Sequence, residues 1–252
     1  MHDLRVEEAG SRDGDPIVLL HGFLSCNAQW QLNRWRLGGG HRLLMTELWG
    51  HGGSPLPASN EAYSPDGYAA ALEAILDSCG IERAHLIGQS FGAGVMLHFA
   101  LSHPSRVRRV VVTNSRSAFD VPLPSSRAAL PARDAEFDAR SLPFHPIHAR
   151  RFPPAVKANL VAAADSVPLE AVLMGGHAAR FSFRDRLADL RAPLMVANGI
   201  HEKGFQRVAC WLREEHAHVH VVDLPGGHSV NLEAAEAFDT EVLRFFSETS
   251  GV

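Results

Sequence analysis

The chain has 252 residues and a mass of 27.4 kDa, with 46% hydrophobic and 21% charged residues. This composition is typical of a globular protein and excludes a disordered chain, a collagen-like repeat and a coiled coil. A net charge of −4 leaves no basic surplus for binding phosphates, so we expect no nucleic-acid partner.

The three cysteines, Cys26, Cys79 and Cys210, are widely spaced and form no CxxC pair, which predicts neither a disulfide framework nor a zinc site. Residues 1–8 contain no apolar stretch of the length that a signal peptide needs. The longest apolar runs are strand-sized and far too short to span a bilayer. We therefore expect a soluble, cytoplasmic protein without a membrane partner.

Short apolar, β-branched segments alternate with longer helix-like segments along the chain. The strands are predicted, in chain order, at residues 4–8, 16–20, 42–47, 84–88, 107–113, 194–198 and 219–224. The helices are predicted at residues 66–78, 91–102, 183–190, 205–216 and 231–247. Several strands are apolar nearly throughout, as strands that are buried on both faces must be. The alternation predicts an α/β fold, in which a mostly parallel central sheet is flanked by helices.

One region departs from this alternation. Eight of the 15 prolines lie between residues 121 and 168, and residues 116–184 contain no convincing strand. The segment is too long for a bare loop and too apolar for a disordered linker, although a floppy connector is the alternative. We predict a mainly helical cap at residues 116–184, inserted into a core domain made of residues 1–115 and 185–252.

The strongest chemical signal is the segment Gly88-Gln89-Ser90-Phe91-Gly92. It follows an apolar strand and precedes an apolar helix, and this context distinguishes a nucleophile elbow from a chance GxSxG match. A sharp turn at the serine needs small neighbours, and it lifts the hydroxyl clear of the sheet. The N–H of Phe91, at the start of the helix, is a predicted oxyanion donor. The alternative is a Gly/Ser loop that merely precedes a helix.

Two further glycine motifs follow predicted strands. His21-Gly22-Phe23 ends the strand at residues 16–20, where the glycine lets the chain turn over the sheet edge, and the N–H of Phe23 is the second predicted oxyanion donor. The turn at residues 50–54, Gly-His-Gly-Gly-Ser, lacks the lysine and the spacing of a phosphate-binding loop, so we interpret it as structural.

A serine nucleophile needs a base, and the base needs a carboxylate to orient it. Among the 15 histidines, His228 follows a predicted strand and a Pro-Gly-Gly turn, which is where the sites of α/β proteins gather. Glu202 is the carboxylate in the loop after the preceding strand, and the order serine, acid, histidine fits this fold. Two alternatives remain: Glu202 is a surface residue paired with Lys203, or Asp120 supplies the acid.

Together these residues resemble the α/β-hydrolase-fold superfamily, in its capped, esterase-like form. The resemblance spans nearly the whole chain outside the cap, and it implies a Ser-His-acid enzyme with a lid over the carboxyl edge of the sheet. The family more often has Asp where this chain has Glu202, and many relatives carry Arg where it has Trp49. Serine at the nucleophile position, where the related haloalkane dehalogenases and epoxide hydrolases have Asp, argues against both activities. Epoxide opening in the family also uses tyrosines of the cap, and the two tyrosines of this chain, Tyr63 and Tyr68, lie outside it.

The sequence thus predicts a serine hydrolase of a small-to-medium, moderately apolar carboxylic ester or thioester. A carbon–carbon bond hydrolase of a diketone is the alternative within the class, with Arg116 and Arg180 as candidates for binding a substrate carboxylate. A ligand-binding or lyase-type protein on the same fold is the alternative from a different class. We expect no metal and no organic cofactor, a small-molecule substrate as partner, and a monomer or homodimer.

Overall fold

Seven strands form one central sheet in the computed structural model, which describes residues 4–119, 138–178 and 182–248. In chain order they are β1 (Val6–Gly10), β2 (Asp15–Leu20), β3 (His41–Thr46), β4 (Ala84–Gly88), β5 (Val107–Thr113), β6 (Leu194–Gly199) and β7 (Val219–Leu224). Their order across the sheet is β1-β3-β2-β4-β5-β6-β7. β1 pairs antiparallel with β3, and the other neighbours pair in parallel. The predicted mostly parallel sheet is confirmed.

Helices cover both faces of this sheet. They are α1 (Arg34–Gly38), α2 (Pro65–Ser78), α3 (Phe91–Ser102), α4 (Arg116–Phe119), α5 (Pro154–Asp165), α6 (Leu169–Ala178), α7 (Gln206–Glu215), α8 (Val230–Glu233) and α9 (Ala235–Ser247). Because successive side chains of a strand point to opposite faces, alternate strand residues enter two separate cores. Leu86 belongs to the core that includes residues of α2, α3 and α7, whereas its neighbour Ile87 belongs to the core that includes residues of α1 and α9.

Among the elements predicted by residue range, three differ from the prediction in type, in continuity or by more than one residue at an end. The first strand lies two residues later than predicted. The segment predicted as a helix at 183–190 is a 3-10 helix, Arg184–Asp189. The last predicted helix is broken at Ala234, whose φ of −137° and ψ of 48° are not helical and separate α8 from α9. An amphipathic pattern alone does not detect such a break, since the apolar spacing continues across it.

The described part of the connection between β5 and β6 lies over the carboxyl end of the sheet. Its described residues form α4, α5, α6 and short 3-10 helices. Val156 and Leu160 of α5 pack on Leu232 of α8 and on partly buried residues of the loop after β2. Val172 of α6 belongs to the same core as Trp49, which follows β3. These contacts place α5 and α6 above the loops that carry the predicted site.

Within the described part of the chain, no single helix has both the length and the apolar character to cross a bilayer. Only α5 and residues 169–175 of α6, which meet at 94°, pass that test as a bent pair.

Candidate active site

Ser90 lies at the sharp turn between β4 and α3. Its φ of 53° and ψ of −111° place it in a strained conformation that L-residues rarely adopt. The turn is possible because two glycines allow close approach: a Cβ on Gly88 would lie 2.5 Å from the oxygen of Gly92, and one on Gly92 would lie 2.3 Å from the oxygen of Leu20. The N–H of Ser90 donates to Thr113 Oγ1 of β5 at 3.4 Å. The sharp turn that the sequence predicts at Ser90 is therefore present in the structure.

His228 lies in the loop between β7 and α8, and its Nε2 is 3.0 Å from Ser90 Oγ. The two residues are 138 positions apart in the chain, and the parallel sheet brings their loops together at its carboxyl edge. The Glu233 carboxylate accepts the Gly227 N–H at 2.9 Å, which holds the loop immediately before His228. A hydroxyl and an imidazole at this distance are positioned for proton transfer.

Glu202 lies on the other side of the His228 ring, in the loop after β6. Its Oε2 is 3.8 Å from His228 Nδ1, which is an ion-pair distance but longer than a hydrogen bond. The Glu202 side chain is 30% exposed and that of His228 is 47% exposed. The structure thus brings Ser90, His228 and Glu202 together in the predicted order, with a looser contact on the acid side.

The charge state of His228 follows from its surroundings. Desolvation by the surrounding protein lowers the pKa of His228, and the carboxylates of Glu202 and Glu233 oppose this effect. The lowered pKa keeps the imidazole neutral at pH 7, which is the state a general base needs.

The predicted oxyanion donors both lie next to Ser90. A Cβ on Gly22 would be 3.1 Å from Ser90 Cβ, so the loop that carries Phe23 passes directly beside the serine. Within the described residues, the N–H of Phe23 makes no hydrogen bond. Phe91 is the first residue of α3, so its N–H lies at the positive end of the helix dipole.

Of the two arginines predicted to bind a substrate carboxylate, the structure describes one. Arg116 begins α4 and lies beside the loop after β6 that carries Glu202, which is called the acid loop below. A Cβ on Gly204 of this loop would be 3.4 Å from Arg116 Cδ and 3.8 Å from Glu202 Oε1. Arg180, like the alternative acid Asp120, lies outside the described residues. In the described part of the chain, no group of three or more His, Cys, Asp or Glu side chains is arranged to hold a metal ion.

Sequence reasoning missed the residues that support the acid loop. Asn114 follows β5 and is buried; its Oδ1 accepts the Gly199 N–H at 2.8 Å, and its Nδ2 donates to the Gly199 carbonyl at 3.1 Å. Gln206 donates to the carbonyls of Gly199 and Glu202 at 3.2 and 3.0 Å. A buried Asn directly after a strand is the only local signal of this role, because its partner lies 85 residues away.

A family model described as the alpha/beta hydrolase fold matches residues 15–169. The chain belongs to this family.

Known proteins are similar to this chain over different lengths. The chain is 34% identical over 115 residues to 2-hydroxymuconate semialdehyde hydrolase of Pseudomonas sp. (strain CF600), covering 44% of this chain and 40% of the relative. It is 24% identical to the uncharacterized carboxylesterase nap of Bacillus subtilis (strain 168), covering 97% of this chain and 83% of the relative. The structure of a hydrolase from Pseudomonas aeruginosa PA01 has a TM-score of 0.80 at 25% identity, covering 97% of this chain and 94% of that one. The first of these matches spans about two fifths of the relative's length.

Proposed function

We propose that the protein is a serine hydrolase that cleaves a small-to-medium, moderately apolar carboxylic ester or thioester through an acyl-enzyme on Ser90. The observation that carries this proposal is the distance of 3.0 Å between His228 Nε2 and Ser90 Oγ, at a serine held in a strained turn. A neutral imidazole at this distance from a serine hydroxyl is the arrangement that activates a serine nucleophile.

The mechanism assigns one step to each group. His228 Nε2 removes the Ser90 proton while Oγ attacks the substrate carbonyl, and the N–H groups of Phe23 and Phe91 stabilise the oxyanion. The protonated His228 then gives its proton to the leaving alcohol or thiol, which departs and leaves an acyl-Ser90 ester. His228 next activates a water that hydrolyses this ester, and the proton returns to Ser90 Oγ. Glu202 stabilises the imidazolium form of His228 through its charge.

The aromatic side chains beside the serine support an apolar acyl or alcohol group. The Phe23 ring lies 6.0 Å from that of Phe91 and 5.9 Å from that of Phe144, measured between centroids. Phe144, in the β5–β6 connection, is 44% exposed, so its ring adds accessible apolar surface beside Phe23. We assign residues 116–184 as a cap whose apolar inner surface contacts the substrate.

The second candidate is a carbon–carbon bond hydrolase acting on a diketone. Two observations favour it: the relative described as 2-hydroxymuconate semialdehyde hydrolase, and the position of Arg116 beside the acid loop. There the guanidinium would bind a carboxylate of the substrate, and the same Ser90 and His228 would attack or hydrate a ketone.

The two candidates are separated by a substrate panel. Purified protein is assayed with p-nitrophenyl esters of graded acyl length, the matching thioesters, and a set of vinylogous diketones. An ester hydrolase gives a kcat/KM optimum at a short-to-medium acyl chain and no turnover of the diketones. A kcat/KM for a carboxylated diketone above that of every ester contradicts the proposal, and its loss in Arg116→Gln then supports the second candidate. Tight ligand binding without turnover of any substrate indicates a binding protein.

A further inference from the structure

Two buried histidines lie behind the loop that carries Phe23. His21 directly follows β2 and begins the His21-Gly22-Phe23 motif, and His51 lies in the glycine-rich turn after β3; each is at most 1% exposed. Their ring centroids are 5.7 Å apart. Among the described residues, no hydrogen bond or ring contact joins either imidazole to Ser90 or His228, and the mechanism above uses neither of them.

The hydrogen bonds of these histidines are reciprocal. His21 Nε2 accepts the N–H of Leu48, in the loop after β3, at 3.2 Å. His51 Nε2 accepts the N–H of Leu24, in the loop after β2, also at 3.2 Å. Each ring therefore accepts a backbone N–H from the loop of the other.

Each ring also donates to its own loop. Because Nε2 accepts in both cases, the proton of each neutral ring is on Nδ1. His21 Nδ1 donates to the Gly22 carbonyl at 2.7 Å, and His51 Nδ1 donates to the Trp49 carbonyl at 2.9 Å. Burial lowers the pKa of His21 to about 4 and that of His51 to about 3, so both rings stay neutral and keep their acceptor atoms.

These bonds fix one peptide unit in particular. The Gly22 carbonyl and the Phe23 N–H belong to the same planar, trans peptide bond, so they point in opposite directions. A bond from His21 to that carbonyl therefore sets where the Phe23 N–H points. His51 holds the next N–H, that of Leu24, whose φ of 52° is in the left-handed region that a leucine rarely adopts.

We infer that His21 and His51 form a histidine brace, a reciprocal pair of positioning residues that aims the Phe23 N–H at the oxyanion of the Ser90 reaction. The inference rests on the proposed function for its catalytic consequence, but its geometry does not. The bond to the Gly22 carbonyl also polarises the peptide and strengthens its N–H as a donor.

A packing role for His51 is the competing explanation, since its ring lies 5.2 Å from that of Phe23. Two substitutions separate the explanations. His51→Phe keeps an aromatic ring but removes the acceptor for the Leu24 N–H. His51→Gln loses the ring but places an amide oxygen near the position of Nε2. In the same way, His21→Asn keeps a donor near the position of Nδ1, whereas His21→Leu removes it.

The kinetic test uses steady-state assays with a p-nitrophenyl ester. His51→Phe and His21→Leu should lower kcat about 10- to 100-fold with little change in KM, because an oxyanion donor acts mainly in the transition state. His51→Gln and His21→Asn should recover most of that loss. Affinity for a boronic acid, which mimics the tetrahedral oxyanion, should fall in parallel with kcat. His85→Phe is the matched control, since His85 is also buried and stacks on Phe246 at 4.0 Å but lies at the amino end of β4. It should change kcat less than twofold.

A second measurement keeps the brace testable if the protein hydrolyses no ester. Ring ¹⁵N chemical shifts of the full chain should show His21 and His51 as neutral Nδ1–H tautomers from pH 8 down to pH 5. Absent turnover in wild type together with those shifts refutes the proposed function and leaves the brace intact. A ring protonated at pH 6, an Nε2–H tautomer, or a His51→Phe variant with wild-type kcat and boronate affinity would overturn the inference.

Discussion

Ser90 and Glu202 lie on opposite sides of His228, and the protein supports them in different ways. The serine side is built on the central strands β2 and β4, and the buried glycines and His21 pack directly behind it. The acid side is built on β6 and β7 at the end of the sheet, and its carboxylate is 30% exposed and 3.8 Å from the ring. We infer from this comparison that Ser90, as the proposed nucleophile, is held rigidly, whereas Glu202, as the proposed acid, acts through its charge more than through a fixed hydrogen bond.

The largest expected effect comes from the serine side. Ser90→Ala removes the attacking oxygen, and it should lower kcat for ester hydrolysis by roughly 10⁴–10⁶. Steady-state assays with p-nitrophenyl esters measure this. Ser102→Ala, at the far end of the same helix, is the control and should keep wild-type activity. If Ser90→Ala retained a tenth of the activity, the nucleophile would be another residue.

A smaller effect is expected on the acid side. Glu202→Gln should lower kcat about 10²- to 10³-fold. This loss is smaller than that expected for a buried, hydrogen-bonded acid, because the Glu202 side chain is 30% exposed and its carboxylate is 3.8 Å from His228 Nδ1. The neutral amide also removes a charge that raises the pKa of His228, so the acidic limb of the kcat/KM profile, expected below pH 6.5, should move to lower pH. Glu214→Gln on α7 is the control. An unmoved acidic limb would show that Glu202 does not act on His228.

Much of this site can be predicted from local sequence, and the reason is the fold itself. In a parallel sheet, a residue directly after a strand lies at the carboxyl edge whatever its partners are, so Ser90, Glu202 and His228 are identified by their places after β4, β6 and β7. The 3.8 Å gap and the bracing by Asn114 are set by packing between distant segments, which no local pattern encodes. The break at Ala234 is hidden for the same reason.

The contact between α6 and the Phe23 loop tests how rigid the serine side is. A Cβ on Gly175 would lie 2.4 Å from Phe23 Cε2, so Gly175→Ala must displace the Phe23 ring, which belongs to the loop of a proposed oxyanion donor. We expect a fall in kcat/KM of roughly tenfold, since small misplacements at a reacting centre are costly. Gly40→Ala is a matched control, because nothing lies within 4 Å of its added Cβ. Equal activities of the two variants would show that the loop adapts freely.

The smallest expected effect is on the free energy of unfolding, through a buried carboxyl group of α9. Asp239 of α9 is 1% exposed and accepts a hydrogen bond from Asn33, and burial raises its pKa to about 7. The free energy of unfolding should therefore fall as pH rises from about 4 through 7, by up to about 1.4 kcal/mol per pH unit from this group. Asp239→Asn should lack this loss. Urea unfolding at pH 5.5 and at pH 8 measures the free energy of unfolding of both proteins, and the value of the variant minus that of wild type should be larger at pH 8. A pH-independent difference would contradict the assignment, and Asp185→Asn is the exposed control.

The central claim is that Ser90 is an activated nucleophile. The most direct measurement treats the full chain with a fluorophosphonate probe and maps the labelled residue by mass spectrometry. We expect a single rapid label on Ser90, which is absent in Ser90→Ala and strongly slowed in His228→Gln. A label on another residue, or rapid ester hydrolysis by a protein whose Ser90 stays unlabelled, would contradict it.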